Sequence, residues 1–254
     1  MGSENAAFDW PSWYRRWEAM MNAYTHERAH RFRTLLEMAR LDPERPVRIL
    51  DLGCGPGPLS FEAIRRYPNA YVVAVDLNPI LLAMGRHVAK EASHAIEFAE
   101  ADFRDTEWWK PYRNSFDLVM SATTLHWLSE SSLHTTYRCI FDALNPGGRF
   151  LNSDHFASDV AETTEYYRQL TSVRQEEKMK ASGADSWGQY WEELTIGLAD
   201  AGISFPDAAP DAWEGTDDGL PKRFHYEALC ELGFDEIEFI WQDLGDGILS
   251  AKKP

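Results

Sequence analysis

Cysteine is scarce in this chain of 254 residues: there are three, Cys54, Cys139 and Cys230, far apart and with no C-x-x-C pair among them. That spacing offers neither a zinc site nor a disulfide framework. Long apolar runs are missing as well. No stretch reaches the roughly 18 consecutive apolar residues that cross a bilayer. The N-terminus lacks a basic segment followed by an apolar one, so neither a membrane span nor a secretion signal is expected, and the cytoplasm is the default location. Positive charge is short too: 41 acids face 25 lysines and arginines, for a formal net charge of −16. Such a surface repels a phosphate backbone unless its bases cluster. The nearest candidate cluster, Arg28 to Arg33, reads as a solvated face or an anion site beside a pocket. Nucleic acid is therefore not expected as a partner, and a small molecule or a protein is. The chain has no G-x-S-x-G elbow and no Cys-His nucleophile signature, so covalent catalysis lacks its usual markers. No repeat or low-complexity tract interrupts it. What remains, 44% hydrophobic residues over the length of one domain or a domain with a lid, suffices for a sizeable core.

The most informative segment is Asp51-Leu52-Gly53-Cys54-Gly55-Pro56-Gly57, which follows the apolar run Val47-Arg48-Ile49-Leu50 and precedes a helix opening at Pro58. Proline suits the first helical position, and the glycines let the backbone turn sharply while leaving room for a ligand against it. A dinucleotide fingerprint would read G-x-G-x-x-G. Here the sixth position from Gly53 is Pro58 and the third glycine comes one residue early at Gly57, which argues against NAD. A second strand, Tyr71 to Val75, ends on Asp76, about 20 residues beyond the loop, where a carboxylate can accept both ribose hydroxyls. A third closes on Asp102-Phe103, a fourth is Phe116 to Ala122, and Asn145-Pro146-Gly147-Gly148 turns into a fifth. Strands near 47–53, 71–76, 96–101, 116–122 and 148–154 alternate with helices near 58–67, 79–92 and 130–144. That alternation predicts a parallel sheet covered on both faces. Right-handed crossovers then gather Gly53, Asp76, Asp102, Ser121 and Asp154 around one crevice.

These motifs, in this order, resemble the class I S-adenosylmethionine-dependent methyltransferases from about Arg45 to Asp154 and again near the C-terminus. The resemblance implies a Rossmann-like seven-stranded α/β sheet with its last strand antiparallel and helices on both faces. It implies S-adenosylmethionine as cofactor, leaving as S-adenosylhomocysteine. Asp51, Gly53, Cys54, Gly55 and Gly57 would form the cofactor loop, Asp76 with Leu77 would hold the ribose, and Asp102 would accept from the adenine amino group. Phe103 would cover the ring, and Ser121 and Ala122 would close the site after the fourth strand. The implied function is in-line methyl transfer to O, N or C of a small metabolite. A protein-directed methyltransferase and a non-catalytic cofactor-binding module remain alternatives, with a nicotinamide oxidoreductase behind them.

Outside the cofactor pattern, Trp10 to Leu41 reads as two aromatic helices with Trp13, Trp17, Met20 and Met21 on one face. Residues 160–202 read as two further helices with no strand between them, the second carrying Trp187, Tyr190 and Trp191. Residues 205–219, rich in Pro, Asp and Gly, read as a surface loop before a helix at about 221–232 and two final strands at 234–241 and 247–252. The expected organisation is a helical lid over 1–44, a core from 45–159 and 220–254, and a substrate cap over 160–219. Tyr14, Trp17, Tyr24, Arg31 and Trp127 are the candidate acceptor pocket. Their rings suit an apolar or aromatic acceptor. Arg15, Arg16 and Arg31 with Tyr14 and Tyr24 would instead clasp a carboxylate, as in the trans-aconitate methyltransferase-like enzymes that the arrangement also resembles. His126, after the fourth strand, and His155, after the fifth, are the candidate bases if the acceptor must lose a proton. Asp154 invites comparison with the metal ligands of catechol methyltransferases, yet Ser121-Ala122-Thr123 offers no second acid, and no metal is expected. The sequence does not distinguish monomer from homodimer.

Overall fold

The computed structural model describes residues 8–91, 95–206 and 213–254. Two helices, α1 (Trp10–Tyr24) and α2 (Arg28–Met38), precede the alternating run β1 (Val47–Leu52), α3 (Pro58–Arg66), β2 (Ala70–Asp76), α4 (Pro79–Glu91), β3 (Ile96–Glu100), β4 (Phe116–Ala122), α5 (Glu130–Ala143) and β5 (Leu144–His155). Then come α6 (Ala161–Ser182), α7 (Trp187–Asp200), α8 (Lys222–Leu232), β6 (Asp235–Asp243) and β7 (Asp246–Lys252). The strands form one seven-stranded sheet in the order β3-β2-β1-β4-β5-β7-β6. Strand β7 runs antiparallel to both β5 and β6, and the other paired strands run parallel. Central strands read as near-continuous apolar runs, such as Val72 to Val75, because helices cover both of their faces. Strand order reverses between β1 and β4, which opens a crevice at the carboxyl ends of these strands.

One sheet face buries Leu50, Val73, Phe116 and Val119 under α5 and α8. The other buries Ile49, Val72, Leu118 and Met120 under α2 and α3. The sequence placed α2 in a lid; instead its stripe of Phe32, Leu35 and Leu36 packs into the sheet core. The solvated-face reading of Arg28 to Arg33 is likewise corrected, since Arg28 and Arg31 are buried. Helices α1, α4 and α7 share a third cluster around Trp10, Trp17, Met20, Met84, Tyr190 and Leu194. The N-terminal helix and the insertion are therefore one covering layer. Arg16 of α1 binds Asp185 at 2.8 Å and Glu193 at 2.6 Å, and the Tyr24 hydroxyl accepts from the Trp187 amide at 3.1 Å. Ser129 and Ser186 cap α5 and α7 by accepting from the amides of Ser132 and Gln189. In α4, a Cβ on Gly85 would fall 2.5 Å from Phe98 and 2.9 Å from the Pro56 carbonyl, so glycine there lets the helix press on the β1–α3 loop.

Candidate active site

The β1–α3 loop is held from beneath. The amides of Gly53 and Cys54 both donate to the Val75 carbonyl, at 2.8 and 3.0 Å, and the Gly55 amide donates to Asp76 Oδ2 at 2.7 Å. Asp76 Oδ1 accepts from the Asn78 amide at 2.8 Å. A carboxylate has about four acceptor sites, so both oxygens keep capacity toward the cavity. Burial raises the Asp76 pKa despite these donors. Beneath the loop, Asp51 is 1% exposed and its Oδ2 accepts from the Ser60 hydroxyl at 2.6 Å. Burial, with the charge of Asp76 added, pushes its pKa up to about 7. At the end of β3, Asp102 is bidentate to Arg104 at 2.7 and 2.9 Å, which lowers its pKa.

These groups line one side of a cavity of about 580 Å³. The other side lies over β4, β5 and β7. There, His126 Nδ1 meets Asp154 Oδ1 at 2.6 Å and the His126 amide donates to Asp154 Oδ2 at 3.2 Å. Burial alone would raise the Asp154 pKa, but His126 and His155 bring it well below the carboxylate range. His155 stands 4.9 Å from the His126 ring, with its Nδ1 2.7 Å from Asp246 Oδ1. Burial would lower the His155 pKa; Asp246 and Asp154 raise it on balance. Arg31 binds Ser153 Oγ at 2.8 Å and lies 3.1 Å from the same Asp246 oxygen.

Of the segment expected as a surface loop, residues 207–212 lie outside the described residues; 213–219 have neither helix nor strand, with Trp213, Glu214, Thr216 and Asp217 exposed, and form a strap beside the cavity. The Glu214 and Gly215 amides donate to the Trp127 carbonyl at 2.9 and 2.8 Å. The Glu214 carboxylate accepts from the hydroxyls of Ser129 and Ser132 at 2.7 and 2.6 Å. Trp213 sits edge-on to Trp127 with centroids 4.4 Å apart. A Cβ on Gly215 would lie 2.1 Å from the His126 carbonyl, so Gly215→Ala is expected to lift the strap. Hydrogen exchange at the Glu214 and Gly215 amides should accelerate in the variant; unchanged protection would show that the strap does not depend on this close approach.

Of the residues singled out by sequence, Asp51, Gly53, Cys54, Gly55, Asp76, Leu77, Asp102, Phe103, Ala122, Trp17, Tyr24, His126, Trp127 and His155 line this one cavity. Four stand behind its wall. Gly57 starts α3 facing Phe98 and Phe61; Ser121 is fully buried and donates to the Leu52 carbonyl at 2.8 Å. Tyr14 packs on Phe61 at 5.7 Å, and Arg31 is buried behind the wall, its Nε donating to Ser153 and its Nη1 3.1 Å from Asp246, with neither terminal nitrogen hydrogen-bonded. Of the other suggested clasp residues, Arg15 is exposed and Arg16 is engaged by Asp185 and Glu193. Sequence reasoning missed Thr124, whose hydroxyl donates to the Gly53 carbonyl at 3.0 Å, and Arg104, Trp213 and Asp246. Arg104 carried a signal, an arginine two residues beyond the strand-end acid Asp102; the others acquire their place from distant parts of the chain.

Residues 49–148 match the methyltransferase domain family. The chain is 35% identical over 150 residues to trans-aconitate 2-methyltransferase of Mycobacterium tuberculosis, an overlap of 56% of this chain and 53% of that protein. It is 32% identical over 109 residues to malonyl-[acyl-carrier protein] O-methyltransferase of Acetivibrio thermocellus, covering 43% of this chain and 36% of that one. The chain thus spans about half the length, or less, of these curated relatives. The solved structure of PigF with SAH superposes with a TM-score of 0.58 at 16% identity, over 98% of this chain and 67% of that one, a likeness of fold. Residues 49–148 thus carry the match to a methyltransferase domain, and the chain as a whole has the fold of solved S-adenosylmethionine-dependent methyltransferases.

Proposed function

We propose that this protein transfers a methyl group from S-adenosylmethionine to a small molecule held over the ends of β4, β5 and β7. The observation that carries the reading is the continuity of one cavity from Gly53, Asp76 and Asp102 to His126 and His155 beneath the α1–α6–α7 cover. The residues fit the cofactor. A Cβ built on Gly55 would lie in ordinary contact with Trp17 at 3.6 Å and Leu81 at 3.9 Å, so Trp17 stands at van der Waals distance over the loop that would hold the ligand. Asp76 and Asp102 set carboxylates at the ends of neighbouring strands for ribose hydroxyls and an adenine amino group. When bound, S-adenosylmethionine supplies a methyl carbon made electrophilic by sulfonium, so no covalent enzyme intermediate is required. The chain's work is to align the acceptor and exclude water, for which the Trp17, Trp127 and Trp213 side chains stand around the cavity.

A cavity of about 580 Å³ has the size of a small-ligand pocket and favours a metabolite over a protein segment, and the net charge of −16 disfavours nucleic acid. No helix among the described residues is long and apolar enough to cross a membrane, in keeping with the cytoplasmic placement we propose. Calorimetry with S-adenosylhomocysteine tests the cofactor site: the wild type should bind, and Asp76→Ala should bind more weakly by about 1–3 kcal/mol, the cost of losing a charged acceptor. Absence of binding would overturn the proposal. Binding without transfer of labelled methyl into a small-molecule extract would favour the non-catalytic module.

A further inference from the structure

The two halves of the cavity meet at Arg104. Its guanidinium lines the cavity between two carboxylates from distant parts of the chain, Asp102 and Glu214. Oδ1 of Asp102 accepts from the Arg104 amide and from Nε, both at 2.9 Å. Its Oδ2 accepts from Nε at 3.0 Å and from Nη2 at 2.7 Å. A carboxylate has about four acceptor positions, so those of Asp102 are taken. On the other side, Nη1 stands 3.6 Å from Glu214 Oε1, within ion-pair range and beyond hydrogen-bonding distance. Glu214 Oε2 is engaged by the hydroxyls of Ser129 and Ser132 at 2.7 and 2.6 Å, which leaves Oε1 to the guanidinium. Both acids are ionised near neutrality. Arg104 lowers the pKa of Asp102; Ser132 and Ser129, with the charge of Arg104 added, lower that of Glu214.

An amino group that donates to Asp102 must therefore take a place that Arg104 now fills. The guanidinium is a rigid plane, so a turn that frees one Asp102 position moves the whole fork. Glu214 Oε1 is a ready acceptor for it. One charge-assisted bond is then exchanged for another, and the fork keeps a carboxylate throughout.

What Glu214 holds is the strap. Residues 213–219 have neither helix nor strand, and Trp213 is exposed, so their seating rests on few contacts. Those contacts shape the acceptor side of the cavity. The amides of Glu214 and Gly215 donate to the Trp127 carbonyl. A Cβ on Gly215 would meet the His126 carbonyl at 2.1 Å, and one on Gly219 would meet the His155 carbonyl at 2.3 Å. The strap thus presses on the backbone at both histidines, while Trp213 and Asp218 form part of the cavity wall.

Resting on the methyltransferase reading above, we propose that Arg104 couples the two halves of the site: the amino group of a bound 6-aminopurine displaces part of the fork from Asp102, the fork closes on Glu214, and the strap is seated before the acceptor enters. Arg104 is then a positioning residue. Coupling of this kind is reciprocal, so a strap that cannot receive the fork weakens the hold on the purine amino group by the same factor.

The test sets S-adenosylhomocysteine against its analogue with hydrogen in place of the purine 6-amino group, each at saturation on the full chain. Hydrogen exchange at the Glu214 and Gly215 amides reads the strap. S-adenosylhomocysteine should slow that exchange about fivefold or more, and the analogue should leave it as in the free protein. Equal slowing by both ligands, or by neither, would overturn the proposal. Glu214→Gln keeps an oxygen for the two serine hydroxyls and removes the charge that draws Arg104. This variant should lose the ligand-dependent slowing. Calorimetry should show its preference for S-adenosylhomocysteine over the analogue reduced by about the same factor. If Glu214 serves only the strap's stability, the substitution will speed exchange equally in the free and bound states and leave the ratio of the two affinities unchanged. That result, too, would overturn the coupling. Failure of the wild type to bind S-adenosylhomocysteine at all would instead fall on the methyltransferase reading itself.

Discussion

Gly53→Ala is expected to disable the cofactor loop and to destabilise the fold by about 2–5 kcal/mol, combining left-handed backbone strain with overpacking. Gly53 has φ +69°, and an added Cβ would lie 2.0, 2.3 and 2.5 Å from the Cγ2, Oγ1 and Cβ of Thr124. No rotamer of Thr124 relieves a contact with its own Cβ, so the backbone must move. That movement breaks the Thr124 hydroxyl bond to the Gly53 carbonyl and disturbs the paired amides of Gly53 and Cys54 on Val75. It also shifts the turn at Leu125–Trp127 that carries His126. For a chain of this size each kcal/mol lowers Tm by about 2–4 °C. Thermal unfolding and S-adenosylhomocysteine calorimetry on the same preparation read both effects. Repeating the change in a Thr124→Gly background should recover the steric part and leave the strain at positive φ. An alanine variant with wild-type Tm and affinity would show that this approach constrains nothing.

The half of the cavity around the glycine loop was readable because each of its parts is local: a strand, a glycine turn, and acids at successive strand ends fall within short windows of sequence. The acceptor half depends on partners far apart. The pairing of His126 with Asp154 spans 28 residues and that of Arg31 with Ser153 spans 122, and no periodicity marks either. Arginine content near the N-terminus suggested a carboxylate clasp, yet composition does not reveal that Arg16 closes onto α7 and Arg31 onto β7. The assignment of α2 to a lid failed for a related reason. Its Phe32, Leu35 and Leu36 stripe fits a lid or a core equally well, and only the neighbouring sheet decides. The strap is the extreme case, since Glu214 and Gly215 engage the Trp127 carbonyl through backbone amides that any residue but proline carries.

Asp51 gives the chain a stability that falls as pH rises. In the folded protein its pKa is about 7, against about 3.9 for an unfolded chain, so the folded state holds this proton more tightly. The contribution is fully present below about pH 4, declines as pH rises between those two values, and is lost above about pH 7. A rise of that size corresponds to at most about 4 kcal/mol. Asp51→Asn keeps an oxygen for the Ser60 hydroxyl while removing the charge. The variant is therefore expected to exceed the wild type in stability by about 2–4 kcal/mol at pH 8.5 and to match it near pH 4, as read from guanidinium unfolding midpoints. A difference independent of pH would show that Asp51 titrates normally and that the gain has another origin. The same substitution should weaken S-adenosylhomocysteine binding, because Asp51 lies in the cavity wall beside the glycine loop, where its charge can meet the ligand's ammonium group. A variant that is more stable yet binds less tightly would mean that the protein keeps a destabilising buried charge for the sake of its ligand, a trade made at functional sites and not in structural cores.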